Sequence, residues 1–123
     1  MMVSTGLALQ PIKILNRGIL ATENVGFKVL RDVNLGLYMV LATVEVAPNR
    51  VYAGSRPCYW FEARNVKAGD MVLLFTGKGQ NTQSPSQDGH TNHFYFWGAG
   101  VAMFPGPTSK AVLVEINTWQ TIG

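Results

Sequence analysis

The sequence lacks the features that would tie it to a membrane, to a disulfide scaffold or to a strongly charged partner. Its one cysteine, Cys58, cannot form an intrachain disulfide, which excludes the disulfide-built secreted modules. No stretch approaches the roughly 18 uninterrupted apolar residues that a membrane-spanning helix needs. Charged residues make up only 14% of the chain, and no run of basic residues forms a phosphate-binding tract.

The composition is that of one globular domain. Of the 123 residues 47% are apolar, and the formal net charge is only +3, which excludes a disordered chain. The segment Met1–Gly6 carries no positive charge ahead of a hydrophobic stretch, so we predict no signal peptide and a cytoplasmic protein. We predict a single domain over 1–123, with residues 1–10 flexible.

Short apolar and aromatic segments bounded by turn residues dominate the chain. Thirteen glycines and six prolines divide it, and no segment of about ten residues or more carries a helical apolar stripe. This spacing predicts an all-β fold of about seven short strands, arranged as a β-sandwich or a small barrel. The predicted strands are 11–15, 25–30, 37–46, 58–62, 71–75, 92–97 and 111–119.

Two segments differ from the others in composition. Met71–Phe75 is apolar at every position, which predicts a central strand covered on both faces. The stretch 77–92 is too polar for a core and predicts an exposed loop. Its part Gln80–Gly89 is either an uncommitted mobile connection or a recognition loop on a rigid sandwich.

The second half of the chain carries a recognisable series of segments. An aromatic strand at 59–61 is followed by a K-A-G-D turn at 67–70, an apolar strand and a T-G-K-G exit at 76–79. A later aromatic strand ends at Trp97, and an apolar strand closes the series. Residues 57–122 thus resemble the lamin-tail domain family, whose pattern the first half of the chain does not share. The resemblance implies an immunoglobulin-like β-sandwich that attaches to other macromolecules and is not itself an enzyme.

One segment has the residue types of a metal site. Asp88, His90 and His93 place two imidazoles and a carboxylate close together in sequence. In an extended chain, however, the two histidines point to opposite faces, and no further ligand lies near them. We therefore predict a polar loop that holds no metal, and no cofactor.

Two other patterns resemble catalytic motifs. Cys58 with Asn92 and either histidine supplies the residue types of a cysteine nucleophile, but a lone cysteine beside aromatic residues is more typical of a small buried hydrophobe. The segment 76–80, T-G-K-G-Q, lacks the Ser or Thr after the lysine and the following helix that a phosphate-binding loop needs. We predict no catalytic residues.

The aromatic strand offers a candidate binding surface. Alternation puts Phe94 and Phe96 on one face and His93, Tyr95 and Trp97 on the other. If the phenylalanines face the core, the other three form a partly exposed aromatic row that contacts a partner, and these three are our candidate residues. The alternative is that a loop or the second sheet covers this row.

Basic and polar side chains complete the candidate partner-binding site. We add Arg64, Lys67, Lys78 and Gln80, although such residues also commonly form a solvated rim. The predicted function is a non-enzymatic interaction module that binds a protein partner or self-associates, because few charges leave edges and apolar patches free for pairing. The alternative is a nucleic-acid-binding β-barrel that uses the aromatic row and scattered Arg and Lys side chains.

Overall fold

The computed structural model describes residues 6–123, and their regular structure is almost entirely β. Residues 1–5, to which the signal-peptide prediction and part of the flexible segment refer, lie outside the described residues. Within 6–123 the helical structure is one 3-10 turn at Leu35–Leu37, and no helix there has the length and apolarity needed to cross a membrane. The strands are β1 (Leu9–Leu15), β2 (Asn24–Val29), β3 (Val33–Asn34), β4 (Tyr38–Ala47), β5 (Arg50–Val51), β6 (Cys58–Trp60), β7 (Asn65–Val66), β8 (Met71–Phe75), β9 (Thr82–Pro85), β10 (Thr91–Phe96) and β11 (Ser109–Glu115).

Two larger sheets form the layers of the fold. The first sheet has five strands in the order β1-β2-β8-β10-β9, and the second has the order β11-β4-β5 with β6 also paired to β4. Strands β3 and β7 form a separate two-stranded ladder. The neighbours β8 and β10 are parallel, whereas β2 is antiparallel to β8 and β9 to β10. The all-β prediction is confirmed and the layers are those of a β-sandwich, while the immunoglobulin-like topology stays a prediction.

The inner faces of the two sheets form one core. Buried residues alternate with half-buried ones along β8 and the first half of β4, as the two-residue period of a strand dictates, whereas β2 is buried at both faces from Asn24 to Phe27. Phe61, from the segment after β6, joins the layers because its ring packs edge-on against Phe27 and Tyr95, with centroids 6.2 Å and 5.1 Å away. The inward residues of β2, β8 and β4 are Val25, Phe27, Val29, Val72, Leu74, Tyr38, Val40 and Ala42.

A buried carboxylate ties three loops together. Glu23 is fully buried directly before β2. Its carboxylate accepts hydrogen bonds from the backbone N–H of Gly18 at 2.8 Å and from the Thr76 hydroxyl at 2.6 Å. The N–H groups of Met103 and Phe104 donate to it as well, at 2.8 Å and 3.2 Å. Since these donors lie in the segments after β1, after β8 and before β11, one side chain fixes the three segments relative to each other.

Two predictions about individual segments need correction. Strand β8 is the middle strand of its sheet, as predicted, but only its inward face is buried, and Met71, Leu73 and Phe75 are partly exposed. The polar stretch 77–92 is mostly exposed but contains β9, which pairs with β10 as an edge strand. An edge strand is held by backbone pairing on one side, so its side chains need not be apolar.

The chain is also anchored earlier than predicted. Ala8 and Leu9 are buried, and the N–H of Ala8 donates to the Tyr38 hydroxyl at 2.8 Å. Strand β1 begins at Leu9. Residues 8–10 are therefore part of the fold, and the flexibility of residues 1–10 stays a prediction.

Candidate functional site

The predicted aromatic row requires one face of β10 to point outward, and in the structure that face points inward. His93 and Tyr95 are 3% and 0% exposed and face the second sheet, and Trp97 is half-buried against the core. Phe94 and Phe96 lie on the other face and are partly exposed. The three predicted residues therefore cannot form an exposed row, and the alternative in which the second sheet covers them is correct.

Asp70, His93 and Arg64 form a hydrogen-bonded network on the inner side of β10. Nε2 of His93 lies 2.9 Å from Oδ2 of Asp70, and Nδ1 lies 3.3 Å from a terminal nitrogen of Arg64. A guanidinium can only donate, so Nδ1 accepts from Arg64 and Nε2 carries the proton that it donates to Asp70. Both imidazole nitrogens are engaged, which leaves neither free to bind a metal or to accept a proton from a substrate.

His90 approaches the same carboxylate from the segment before β10. Its Nδ1 lies 4.0 Å from Oδ1 of Asp70, so the prediction that His90 and His93 point to opposite faces is wrong. His90 precedes the strand, where alternation does not apply. Gly69 permits this approach, because its φ is +94° and a Cβ there would overlap the His90 ring. No group of three or more His, Cys, Asp or Glu side chains in residues 6–123 could hold a metal ion.

Arg64 is half-buried and holds neighbouring parts of the domain together. Its guanidinium lies over the Tyr95 ring, 4.7 Å from the centroid, and donates to the carbonyl of Thr82 at 3.1 Å. The Tyr95 hydroxyl donates to the carbonyl of Glu62 at 3.2 Å. Burial raises the pKa of Tyr95 to about 12, against the lowering effect of the Arg64 charge. The phenol is thus a neutral donor fixed in the interior.

The three remaining candidates are exposed but lie apart. Lys67 belongs to the turn before β8, and its ammonium is 3.8 Å from the Asp32 carboxylate. Both side chains are largely in solvent, so this ion pair contributes little to stability. Lys78 and Gln80 follow β8, beyond the opposite end of that strand. The predicted residues therefore divide into an interior cluster and two separate surface positions, and they form no common surface.

Cys58 lies outside any catalytic arrangement. It is exposed on β6, which corrects the expectation of a buried hydrophobe, because Tyr59 packs against the core and Cys58 lies on the opposite face of the strand. In the described part of the chain Cys58 makes no hydrogen bond to a histidine. Both ring nitrogens of His93 are hydrogen-bonded, one to Asp70 and one to Arg64. No nucleophile and base are therefore brought together by these residues.

Asp70→Asn is expected to destabilise the protein in a pH-dependent way. Burial alone would raise the pKa of Asp70, but hydrogen bonds from His93 and from the N–H groups of Lys67 and Thr91 outweigh it and hold the pKa below its usual value. A carboxylate whose pKa falls on folding stabilises the native state above its unfolded pKa of about 4 and loses that contribution as the pH falls through the folded value. In urea titrations the gap between wild type and variant should be largest near neutral pH and shrink below about pH 4. A gap independent of pH would contradict this, and Asp32→Asn is the exposed control.

The outer face of the five-stranded sheet is the surface that the structure offers to a partner. Its centre consists of Met71, Leu73 and Phe75 of β8 with Phe94 and Phe96 of β10, which we call the aromatic face. All five side chains are partly exposed, and none belongs to the residues that pack against the core. The aromatic face is therefore an apolar surface without a second layer from residues 6–123.

Strand register brings these side chains into contact with one another. Phe94 lies beside Leu73 and Phe96 beside Phe75. The rings of Phe75 and Phe96 stack with centroids 5.2 Å apart and an interplanar angle of 17°. On the β2 side, Gly26 lies opposite Leu73, and a Cβ there would meet no atom within 4 Å. The apolar surface is consequently continuous and half-exposed, and Gly79 packs against the Phe96 ring at its margin.

The charges on this face are all of one sign. Lys13 and Lys28 occupy outward positions on β1 and β2, on one side of the aromatic face. On the other side Thr82 and Ser84 of β9 and Asn92 of β10 supply hydroxyl and amide groups. None of the outward positions of the five strands holds an acidic residue.

Comparison of the chain with models of known protein families and with curated proteins gives no match. The function of the site must therefore be inferred from its geometry. Sequence reasoning missed the aromatic face, although a signal was present. Met71–Phe75 is apolar at every position while Phe94 and Phe96 alternate with polar residues, and two such neighbouring strands place more apolar side chains than a single core face can take.

Proposed function

We propose that the protein is a non-enzymatic interaction module that self-associates by pairing its aromatic face with that of a second copy. The observation that carries the proposal is the partly exposed apolar face, with three phenylalanines at its centre and no second sheet packed over it. Burying apolar surface is worth about 25 cal/mol per Å², and contiguous exposed apolar patches mark interaction sites. Pairing the two faces would turn each open sheet into a covered one.

The placement of polar side chains favours a second copy as the occupant. A two-fold axis along β8 would set β2 of one copy over β10 of the other. Lys13 and Lys28 of each copy would then face the hydroxyl and amide groups of Thr82, Ser84 and Asn92 of the other. No lysine would meet a lysine, and the apolar centres would coincide.

Three further points support a binding role in the cytoplasm. The polar groups best suited to chemistry, those of Asp70 and His93, are engaged in internal hydrogen bonds. The resemblance of residues 57–122 to lamin-tail domains points to an attachment module, and this likeness remains part of the proposal. A single free cysteine, Cys58, suits a reducing compartment.

Phe94→Thr is expected to weaken self-association without unfolding the protein. Threonine keeps the strand propensity but removes the ring, and a symmetric interface contains the change twice. Truncating an interface aromatic residue costs about 1–2 kcal/mol, so the dissociation constant should rise by at least about tenfold in sedimentation velocity runs over a concentration series. Trp119→Thr removes an exposed aromatic ring that contacts Trp60 of the other sheet, and it should leave association unchanged. A wild-type protein that stays monomeric throughout the series would contradict the proposal.

Single-stranded nucleic acid is a second candidate occupant of the same face. Bases stack on aromatic rings and phosphates attract lysines, and here Lys13 and Lys28 flank stackable rings with no acidic residue among them. A thymidine oligonucleotide titrated at low and at physiological salt tests this candidate. Binding that weakens steeply with salt, and that Phe94→Thr abolishes in a monomeric protein, would favour nucleic acid over the second copy.

A further inference from the structure

Strand β11 is an edge strand whose protection against strand addition is limited to the charges of Lys110 and Glu115. Proteins normally blunt open edges with proline, bulges, charges or short length. Strand β1 has Pro11 and a register shift after it, β9 has four residues and ends in Pro85, and β5 and β6 have two and three residues. Strand β11 has seven residues without proline and pairs with β4 in unbroken register from Ser109 to Glu115.

The hydrogen bonds at the two ends of β11 show which of its residues face β4. The carbonyl of Thr108 accepts from the N–H of Glu45 at 2.8 Å. The N–H of Ile116 donates to the carbonyl of Leu37 at 2.6 Å. In an antiparallel ladder the backbone groups of alternate residues point to the same neighbour, so the even-numbered residues face β4 and the odd-numbered ones face away.

The outward backbone groups form a regular unpaired series. The carbonyl of Ser109 accepts from the Arg17 guanidinium at 2.9 Å. The N–H and C=O groups of Ala111, Leu113 and Glu115 have no partner elsewhere in residues 6–123. Three alternate residues with free donors and acceptors are the pattern that an added antiparallel strand requires.

A cleft of about 300 Å³ lies beside this edge, between β11 and β1. Ile12 and Ile14 contribute apolar surface to it, and Ile12 is 49% exposed. Two cations outside the aromatic face, Arg17 and Lys110, also line the cleft, and no acidic residue does. A segment seated here would meet apolar surface on its inward side and the positive charges of Arg17 and Lys110 beside it.

We propose that the free edge of β11 binds an extended acidic peptide segment of a partner protein as an added antiparallel strand. Residues of the segment opposite Ala111 and Leu113 would point inward over the cleft and are apolar. The residues between them would share the outer face with Lys110 and are acidic. A second copy of β11 fits this edge less well, because it would bring a further Lys110 to a site that already holds Arg17 and Lys110. The inference goes beyond the proposed self-association, since β11 belongs to the other sheet.

Synthetic peptides of alternating valine and glutamate, matched in length to β11 and blocked at both ends, are the probes. Because the residues opposite Ala111 and Leu113 are the valines, their N–H groups face β11. Methylating the valine nitrogens should therefore weaken binding by about tenfold or more, while methylating the glutamate nitrogens should change it little. A peptide of alternating valine and lysine should bind worse than the acidic one.

Two variants and one direct readout test the site on the protein. Ala111→Pro removes an outward N–H without touching the β4 ladder, so it should reduce affinity by about tenfold while circular dichroism stays that of wild type. Lys110→Glu keeps the backbone intact and should shift preference from the acidic to the basic peptide. On binding, the amides of Leu113 and Glu115 should gain protection from hydrogen exchange, whereas that of Val112, already bonded to β4, should not change.

Each outcome decides the proposal. Selective loss of affinity on valine methylation, together with protection of the outward amides, supports strand addition. Equal affinity of both methylated peptides, unchanged binding by Lys110→Glu, or no binding of the acidic peptide would overturn it. If Ala111→Pro does not fold, the peptide methylation and exchange results still decide. Phe94→Thr changes the aromatic face and leaves β11 intact. Peptide binding by this variant therefore reports on the β11 site alone, whether or not self-association fails.

Discussion

Glu23→Ala should lower the free energy of unfolding by about 3–5 kcal/mol, a large part of the stability of a domain of this size. The side chain is fully buried, and its carboxylate is the shared acceptor for Gly18, Thr76, Met103 and Phe104. Each buried donor left without a partner costs about 1–3 kcal/mol, and entry of water into the vacated space recovers part of the sum. Equilibrium unfolding in urea, with the slope of the transition compared between variants, measures the loss.

Glu23→Gln separates the role of the acceptors from that of the side-chain volume. Glutamine has nearly the same shape but one carbonyl oxygen, and its amide would turn a donor toward N–H groups that are donors themselves. We expect a loss of about 2–4 kcal/mol for this variant. Glu45→Ala, at an exposed position of β4, should stay within about 0.5 kcal/mol of wild type. A wild-type stability for Glu23→Gln would show that the carboxylate does not organise the three loops.

The longer strands could be predicted because each of them alternates or is uniformly apolar between turn residues. Strand β9 could not be, since Thr82–Pro85 is polar and forms a strand only because β10 offers it a backbone partner. The role of Glu23 was equally hidden. Its donors at Met103 and Phe104 are 80 and 81 positions away, and no local pattern marks a side chain whose partners arrive from another part of the fold.

The orientation of β10 could not be settled by hydrophobicity. Phe94 and Phe96 are more apolar than the residues between them, which favours the phenylalanines in the core. His93 and Tyr95 are buried nonetheless, because Asp70 and the carbonyl of Glu62 satisfy their polar atoms. Hydrogen bonding offsets part of the free-energy cost of removing a polar group from water. Those partners lie 23 and 33 positions away, so the sequence around β10 does not reveal them.

Leu74→Ala should cost about 2–5 kcal/mol, whereas Leu73→Ala should cost about 1 kcal/mol or less. Leu74 is 1% exposed on the inner face of β8, and its removal leaves a cavity in a packed core. Leu73 lies on the aromatic face, where water fills the vacated space. Urea titrations of both variants should be run at a protein concentration at which wild type is monomeric, because dimer formation would add to apparent stability.

Comparing Leu74→Ala with Leu73→Ala separates the difference between the two faces of the sheet from every other property of the strand. Both variants remove the same atoms from neighbouring positions of the central strand and change strand propensity equally, so the difference in cost reports only what covers each face. In the folded state the order should reverse for association, with Leu73→Ala weakening the dimer and Leu74→Ala leaving it unchanged. Equal costs in the unfolding experiment would mean that the outer face is covered as well, and the surface on which self-association depends would then be absent.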